Sequence, residues 1–155
     1  MKLTPLLLLP LLVSLNARAA VTLEQACRAL NLPVEKNQCS SSQGPEIRVL
    51  GSGNLRADLF IKGSPDKARE EAITPVRQIA AALAVSMPDV FIAAMREAKL
   101  DERIAMQVGE WKLSWQATAV SVDFRMRPLL LKTDSVLSRC RGASCRGEER
   151  WIDPQ

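Results

Sequence analysis

Histidine is absent from all 155 residues of this sequence. It is the commonest general base at neutral pH and the commonest protein ligand of transition metals. Its absence excludes histidine-based catalytic triads, histidine-containing zinc sites and the usual nickel and copper sites. We therefore predict no catalytic residues, no metal site and no cofactor.

Other catalytic motifs are incomplete. Ser64 and Lys67 form the S-x-x-K pattern of penicillin-recognising enzymes, but the S-D-N and K-T-G motifs that accompany it there are missing. Ser64 as a helix N-cap explains the same residues without catalysis. The C-x-x-C motif of thiol oxidoreductases is also missing, and one cysteine pair is too widely spaced for a usual zinc site. The protein is predicted not to be an enzyme.

No apolar run is long enough to span a membrane. A spanning helix needs about 20 apolar residues, and the run at 6–15 has half that length. A lysine precedes the run, and small residues follow it up to Ala19, which is typical of a secretory signal peptide. We predict a signal peptide at 1–19 and a single exported α+β domain at 20–155, periplasmic or secreted, with no stable membrane anchor.

The charges are nearly balanced along most of the chain. Of the 21 basic residues, two lie in the predicted signal peptide, so 19 remain against 17 acidic ones. This balance gives little reason to expect binding to nucleic acid or to an anionic membrane. The segment 125–150 is different, because it holds seven basic and three acidic side chains. A basic C-terminal segment is therefore expected.

The four cysteines of an exported chain are expected to form disulfides. Three connectivities are possible. Local pairing, Cys27 with Cys39 and Cys140 with Cys145, is favoured because each pair brackets a segment of polar and turn-forming residues. Cross-pairing of the two ends stays open. It would close a loop of more than a hundred residues and contribute about 4 to 5 kcal/mol.

The hydrophobic pattern predicts a short helix in "TLEQACRALNL", a loop in "NQCSSSQGP", and two strands joined by a hairpin at "GSGN". Up to three helical pieces follow, starting near Pro65, Pro75 and Pro88. Whether Pro75 breaks a helix or only kinks it is left open.

Strands are predicted again after the helices, through Ile104 and from Trp111 onward. The apolar set then changes parity, which predicts a bulge or break between Ala117 and Val120. This order predicts an α+β fold, with an antiparallel sheet of about 4–5 strands, two or three helices packed on one face, and disulfide-stapled termini.

The second cysteine pair closes a short loop that carries arginines. Binding residues are predicted at this loop, namely Arg139, Arg141 and Arg146, and separately on the strand that starts at Trp111, namely Trp111 and Trp115. A closed loop lowers the ordering cost of binding, and its arginines suit an acidic pocket. The alternatives are a purely structural clip for the loop and a core position for the two tryptophans.

We therefore expect a non-catalytic module that binds another envelope or secreted protein. The first hypothesis is an inhibitor or immunity protein for an envelope-acting hydrolase. The alternative is an accessory subunit of an envelope-spanning secretion, pilus or conjugation machine, which would bind through a sheet face, a sheet edge or the basic tail. The oligomeric state is not predicted.

Overall fold

The structure is a computed structural model, and the residues it describes are 22–41, 46–121, 130–140 and 145–154. Three helices and seven strands occur there. In chain order they are α1 (22–29), β1 (Gln38–Ser41), β2 (Glu46–Gly51), β3 (Leu55–Lys62), α2 (Pro65–Ala82), α3 (Asp89–Glu97), β4 (Ile104–Val108), β5 (Trp111–Ser121), β6 (Leu130–Arg139) and β7 (Arg150–Trp151).

One sheet contains all seven strands, in the order β1-β2-β3-β6-β5-β4-β7. It consists of two antiparallel meanders, β1-β2-β3 and β4-β5-β6, which meet where β3 pairs with β6. Only the β4–β7 pair is parallel. The predicted α+β class is confirmed. The predicted sheet of 4–5 antiparallel strands is wrong, because the sheet has seven strands and is mixed.

Three strands were not predicted from the sequence pattern: β6, which lies at the centre of the sheet, and β1 and β7, which lie at its two edges. β1 lies in the segment predicted as a loop, because its polar residues show no hydrophobic alternation. Only Cys39 in β1 is buried, and its disulfide to Cys27 fixes the strand beneath α1. β7 has two residues, and short edge pairings of this kind depend on tertiary contacts rather than on local pattern.

All three helices lie on the same face of the sheet. α2 packs over β3, β5 and β6, and α3 packs beside β4 and α2. α1 crosses close to the end of β2, where a Cβ at Gly51 would lie 3.1 Å from the Cβ of Leu23. The core lies between helices and sheet. Its largest fully buried side chains are Trp115, Phe91, Leu55, Ile61, Ile79, Met95, Ile104, Met106, Leu113, Leu131, Leu137 and Val49.

Helix α2 begins as predicted and continues through Pro75. Ser64 caps it, because its Oγ accepts a hydrogen bond from the backbone N–H of Lys67 (3.3 Å), and Pro65 occupies the first turn. Pro75 has no N–H to donate to the preceding turn. The helix nevertheless runs to Ala82, because residues before and after Pro75, such as Ala72 and Ile79, bury the same face against the sheet.

The predicted β5 irregularity is confirmed close to its expected place. The pairing of β5 with β6 shifts register between Ala119 and Ser121, so Val120 is the extra residue and is exposed. The apolar residues predicted to follow it, at 122–126, lie outside the described residues.

Both disulfides follow the local pairing, Cys27–Cys39 and Cys140–Cys145, and this prediction is confirmed. Two disulfides fit an oxidising extracellular location. The predicted signal peptide at 1–19 lies outside the described residues. None of the helices in the described ranges is long and apolar enough to cross a membrane.

Candidate binding surface

The chain turns back on the sheet after β6. The N–H of Cys140 donates to the carbonyl of Glu110 (2.7 Å), and the disulfide to Cys145 directs the chain toward β4. There the N–H of Ile152 donates to the carbonyl of Ala105 (2.8 Å). We call Cys140 together with residues 145–154 the C-terminal clip. It covers the β4 edge of the sheet.

Two arginines beside the disulfide stack on tryptophan rings. The guanidinium of Arg139 lies 5.2 Å from the centre of the Trp111 ring, and that of Arg146 lies 5.0 Å from the centre of the Trp151 ring. Arg146 also forms an ion pair with Asp153 (3.0 Å) and remains 59% exposed. Cation–π contact at exposed sites contributes about 0.5–1 kcal/mol, which favours the stacked conformation of each arginine.

The predicted site residues are only partly brought together. Arg139 ends β6 and Arg146 lies in the clip, so the two flank the disulfide. Their rings lie on opposite faces of the sheet, because Trp111 pairs with Val108 on the helix-covered face and Trp151 pairs with Ala105 on the other. Arg141 lies outside the described residues. Trp111 and Trp115 share a strand face as predicted, but that face is covered by the helices. Trp111 is largely buried under Arg139, and Trp115 is 0% exposed. The expectation that Trp115 contacts a partner is therefore corrected: it is a core residue, because α2 packs over β5.

Sequence reasoning missed Trp151, Lys112 and Glu149. Lys112 and Glu149 form an ion pair at 2.7 Å that is largely shielded from solvent, and the ammonium of Lys112 lies 6.0 Å from the Trp151 ring centre. The clip is thus fixed to β5 by charge and to β4 by backbone bonds. The sequence feature that could have indicated this attachment is the apolar pair Trp151-Ile152 within an otherwise charged segment.

Glu149 and Glu102 both have lowered pKa values. Burial alone would raise the pKa of Glu149, but hydrogen bonds from Lys112 and from backbone N–H groups, including that of Gly147, outweigh it. The pKa of Glu102 is lowered first by the backbone N–H of Lys99 (2.9 Å) and then by Arg150 at 2.6 Å. Both carboxylates therefore remain charged at a lower pH than an ordinary glutamate would.

A groove of about 650 Å³ lies where the clip meets the start of β4. Its lining is Asp101, Glu102, Arg103, Glu148, Glu149 and Arg150. Within the ranges that the structure describes, no group of three or more cysteine, aspartate or glutamate residues is arranged to hold a metal ion.

The sheet face opposite the helices carries a second cluster that sequence reasoning missed. Asp58 of β3 and Asp134 of β6 are direct cross-strand partners. Arg56 bridges them, with its Nε 3.1 Å from Asp58 and its Nη2 2.7 Å from Asp134. Lys132 lies 3.7 Å from Asp58, and Arg103 lies 3.5 Å from Asp134. The sequence feature that could have indicated this cluster is the occurrence of charged residues at alternate positions of strand-like segments.

Arg56 is held firmly in its charged form. Burial by itself would lower its pKa, but the hydrogen bond to Asp58 and the charges of Asp134 and Asp58 raise it. In this cluster the carboxylates lie deepest. The side chains of Asp58 and Asp134 are 8% and 13% exposed, against 43% for Arg56.

The S-x-x-K pair is not arranged as a nucleophile and its base. The hydroxyl of Ser64 serves as the helix cap, and the ammonium of Lys67 donates to the carbonyl of Lys62 (3.3 Å). The ammonium also lies 3.6 Å from Glu71. The Lys67 ammonium is thus engaged by a backbone carbonyl and a carboxylate.

No family model, curated protein or solved structure matches this chain.

Proposed function

We propose that this protein is an exported, non-catalytic module that binds another protein, and that it acts as an inhibitor or immunity protein for an envelope-acting hydrolase. The proposal includes removal of residues 1–19 as a signal peptide. The observation that supports it most is the pair of arginines stacked on tryptophans beside the Cys140–Cys145 bridge.

The clip has the composition and rigidity of a binding hot spot. Arginine and tryptophan are the residues most enriched where interfaces gain their affinity. Arg139 is exposed while its guanidinium lies 5.2 Å from the centre of the Trp111 ring. The disulfide and the ring contacts restrict these side chains in advance, which lowers the entropy cost of association.

A hydrolase cleft is a suitable partner because of its charge. Enzymes that cleave glycosidic bonds place two carboxylates about 5–9 Å apart in a cleft. An arginine fork makes two parallel hydrogen bonds to a carboxylate, and such bonds are about twice as strong as neutral ones. A guanidinium delivered by the clip would therefore bind a catalytic carboxylate and exclude substrate.

The test is a titration of purified peptidoglycan-cleaving enzymes, namely muramidases, amidases and endopeptidases. The full-length chain is produced by export, and enzyme activity is followed as clearance of a cell-wall suspension. We expect one class of enzyme to be blocked stoichiometrically. Arg146→Glu and Arg139→Glu should each weaken the block about tenfold or more, because each places a carboxylate against an acidic cleft.

Arg77→Glu is the matched control, since it makes the same charge change at an exposed position of α2. It should inhibit like the unchanged protein. Full inhibition by the Arg139→Glu/Arg146→Glu double variant would remove the clip from the interface.

Affinity capture from the native envelope without reductant, followed by mass spectrometry, separates the two hypotheses. Recovery of a single hydrolase supports the inhibitor. Recovery of several components of one secretion, pilus or conjugation assembly would instead support the accessory subunit. That alternative is favoured by the β1 edge, where Gln38 and Ser40 are exposed and β2 is the only neighbouring strand among the described elements.

A further inference from the structure

The sheet face opposite the helices presents cations on its outside. Where side chains alternate along β2 to β6, this face carries basic residues at six positions, counting the one just before β4, and acidic residues at three. The basic ones are Arg48, Arg56, Lys62, Arg103, Lys112 and Lys132, and the acidic ones are Glu46, Asp58 and Asp134. Helices α2 and α3 have the opposite balance, with five acidic and four basic residues.

At the centre of this face the acidic side chains are buried and the basic side chains are more exposed. Asp58 and Asp134 lie against the sheet, whereas Arg56, Arg103 and Lys132 are 43%, 30% and 25% exposed. We call these three basic residues the cation layer. A partner approaching this face meets guanidinium and ammonium groups before it meets a carboxylate.

The buried carboxylates orient the cations without using all of their donors. A guanidinium has five N–H donors. Arg56 contacts the aspartates through Nε and Nη2, which leaves its Nη1 group for another acceptor. Arg103 is oriented by a hydrogen bond from its Nη1 to the hydroxyl of Ser114 (3.2 Å) and by Asp134. These side chains are thus held in place before any partner binds, which lowers the cost of binding.

We infer that the cation layer is a docking surface for a carboxylate-rich surface of another protein. The arginine fork matches a carboxylate geometrically, and charge complementarity gives orientation and specificity. This face also continues to the clip, since Ser114 pairs across the sheet with Ala105, and Ala105 with Trp151. Naming the occupant as a protein rests on the proposed function.

The same charges argue against a membrane or a long polyanion as the occupant. Binding of that kind depends on many uncompensated cations acting over a distance. Here buried carboxylates cancel much of the long-range field of Arg56, Arg103 and Lys132. Short-range hydrogen bonding remains, and this suits a shaped acidic protein surface.

The experiment uses a synthetic peptide rich in aspartate and glutamate as the probe, with binding followed by backbone amide NMR shifts. We expect shifts to be concentrated in β3, β5 and β6 and to be absent from α2 and α3. The double variant Arg48→Glu/Lys62→Glu should weaken binding about fivefold or more, because it reverses two charges at the exposed rim of the face. Lys132→Gln tests the centre without placing a new carboxylate beside Asp58.

Arg77→Glu on α2 is again the matched control and should change the affinity less than about twofold, since exposed charges on the far side are screened. Shifts centred on the helices, no binding of the peptide, or equal weakening by the control would overturn the inference. So would preferential binding of inorganic phosphate, or of phosphatidylglycerol vesicles, at matched charge concentration.

Failure of this inference differs visibly from failure of the proposed function. If a hydrolase is blocked equally by the unchanged protein and by the Arg48→Glu/Lys62→Glu variant, only the inferred docking surface is contradicted. Peptide binding at the cation layer without inhibition of any hydrolase contradicts only the proposed function.

Discussion

A carboxylate with 8% of its side chain exposed in the middle of a strand needs nearby cations, and Asp58 has two of them. Moving a charge out of water is unfavourable unless partners replace the lost hydration. Arg56 and Lys132 provide that replacement, while Asp134 opposite is held by Arg56 and Arg103. The three cations and the two carboxylates of this cluster therefore depend on one another.

Asp58→Ala should lower the free energy of unfolding by about 1–3 kcal/mol, because it leaves two cations without their shared partner. The range lies below that of a fully buried pair, since Arg56 is 43% exposed. Chemical denaturation measures the effect. Glu46→Ala is the control, because the Glu46–Arg48 pair is about half exposed and should contribute close to zero. Equal stability of the two variants would contradict this account.

The clip shows how a two-residue strand is kept in place. β7 contributes few backbone bonds, so its position depends on Glu102 with Arg150, Glu149 with Lys112, and buried Ile152. Both glutamates have pKa values below the ordinary value of 4.5. A lowered folded-state pKa gives stabilisation that is complete above the ordinary value and is lost as the pH falls through the lowered one.

We therefore expect acid to release the clip before the rest of the sheet. When the pH is lowered below about 4, hydrogen-exchange protection of the Arg150 and Ile152 amides should decrease, while protection of the β3 and β6 amides persists. In Glu102→Gln/Glu149→Gln, protection of the clip should be lower at pH 7 and should depend less on pH. Loss of clip protection only together with global unfolding would show that these carboxylates do not hold it.

The two disulfides have different roles in the molecule as a whole. Cys27–Cys39 joins α1 to the β1 edge, and both cysteines are fully buried in the core. Cys140–Cys145 lies at the other end of the chain and closes a shorter loop at the surface. One bridge therefore supports the core, and the other sets the direction of the clip.

Replacing Cys27 and Cys39 by alanine should lower the stability of the whole fold by about 3 kcal/mol or more, since loop entropy and core packing are both lost. The same change at Cys140 and Cys145 should cost about 2 kcal/mol at most. A shift of about 2–4 °C per kcal/mol is expected in thermal melting followed by circular dichroism. A larger loss from the second bridge would make the clip part of the cooperative core.

Features encoded within a few neighbouring residues could be predicted correctly. The Ser64 cap with Pro65, the hairpin at "GSGN" and the β5 bulge each depend on residues close in sequence, and each is present. The local disulfide pairing belongs to the same class. Alternation also showed that Trp111 and Trp115 share a face, but not which face the helices would cover.

Strand number, the parallel β7 and the candidate binding surface required the assembled sheet. Asp58 and Asp134 are 76 positions apart in the sequence, and only the register of β3 on β6 makes them neighbours. Trp151 joins Arg146 only because the clip pairs with β4. A local pattern specifies which residues form a strand, whereas the partner of an edge strand or a buried charge depends on the free energy of the whole packed sheet.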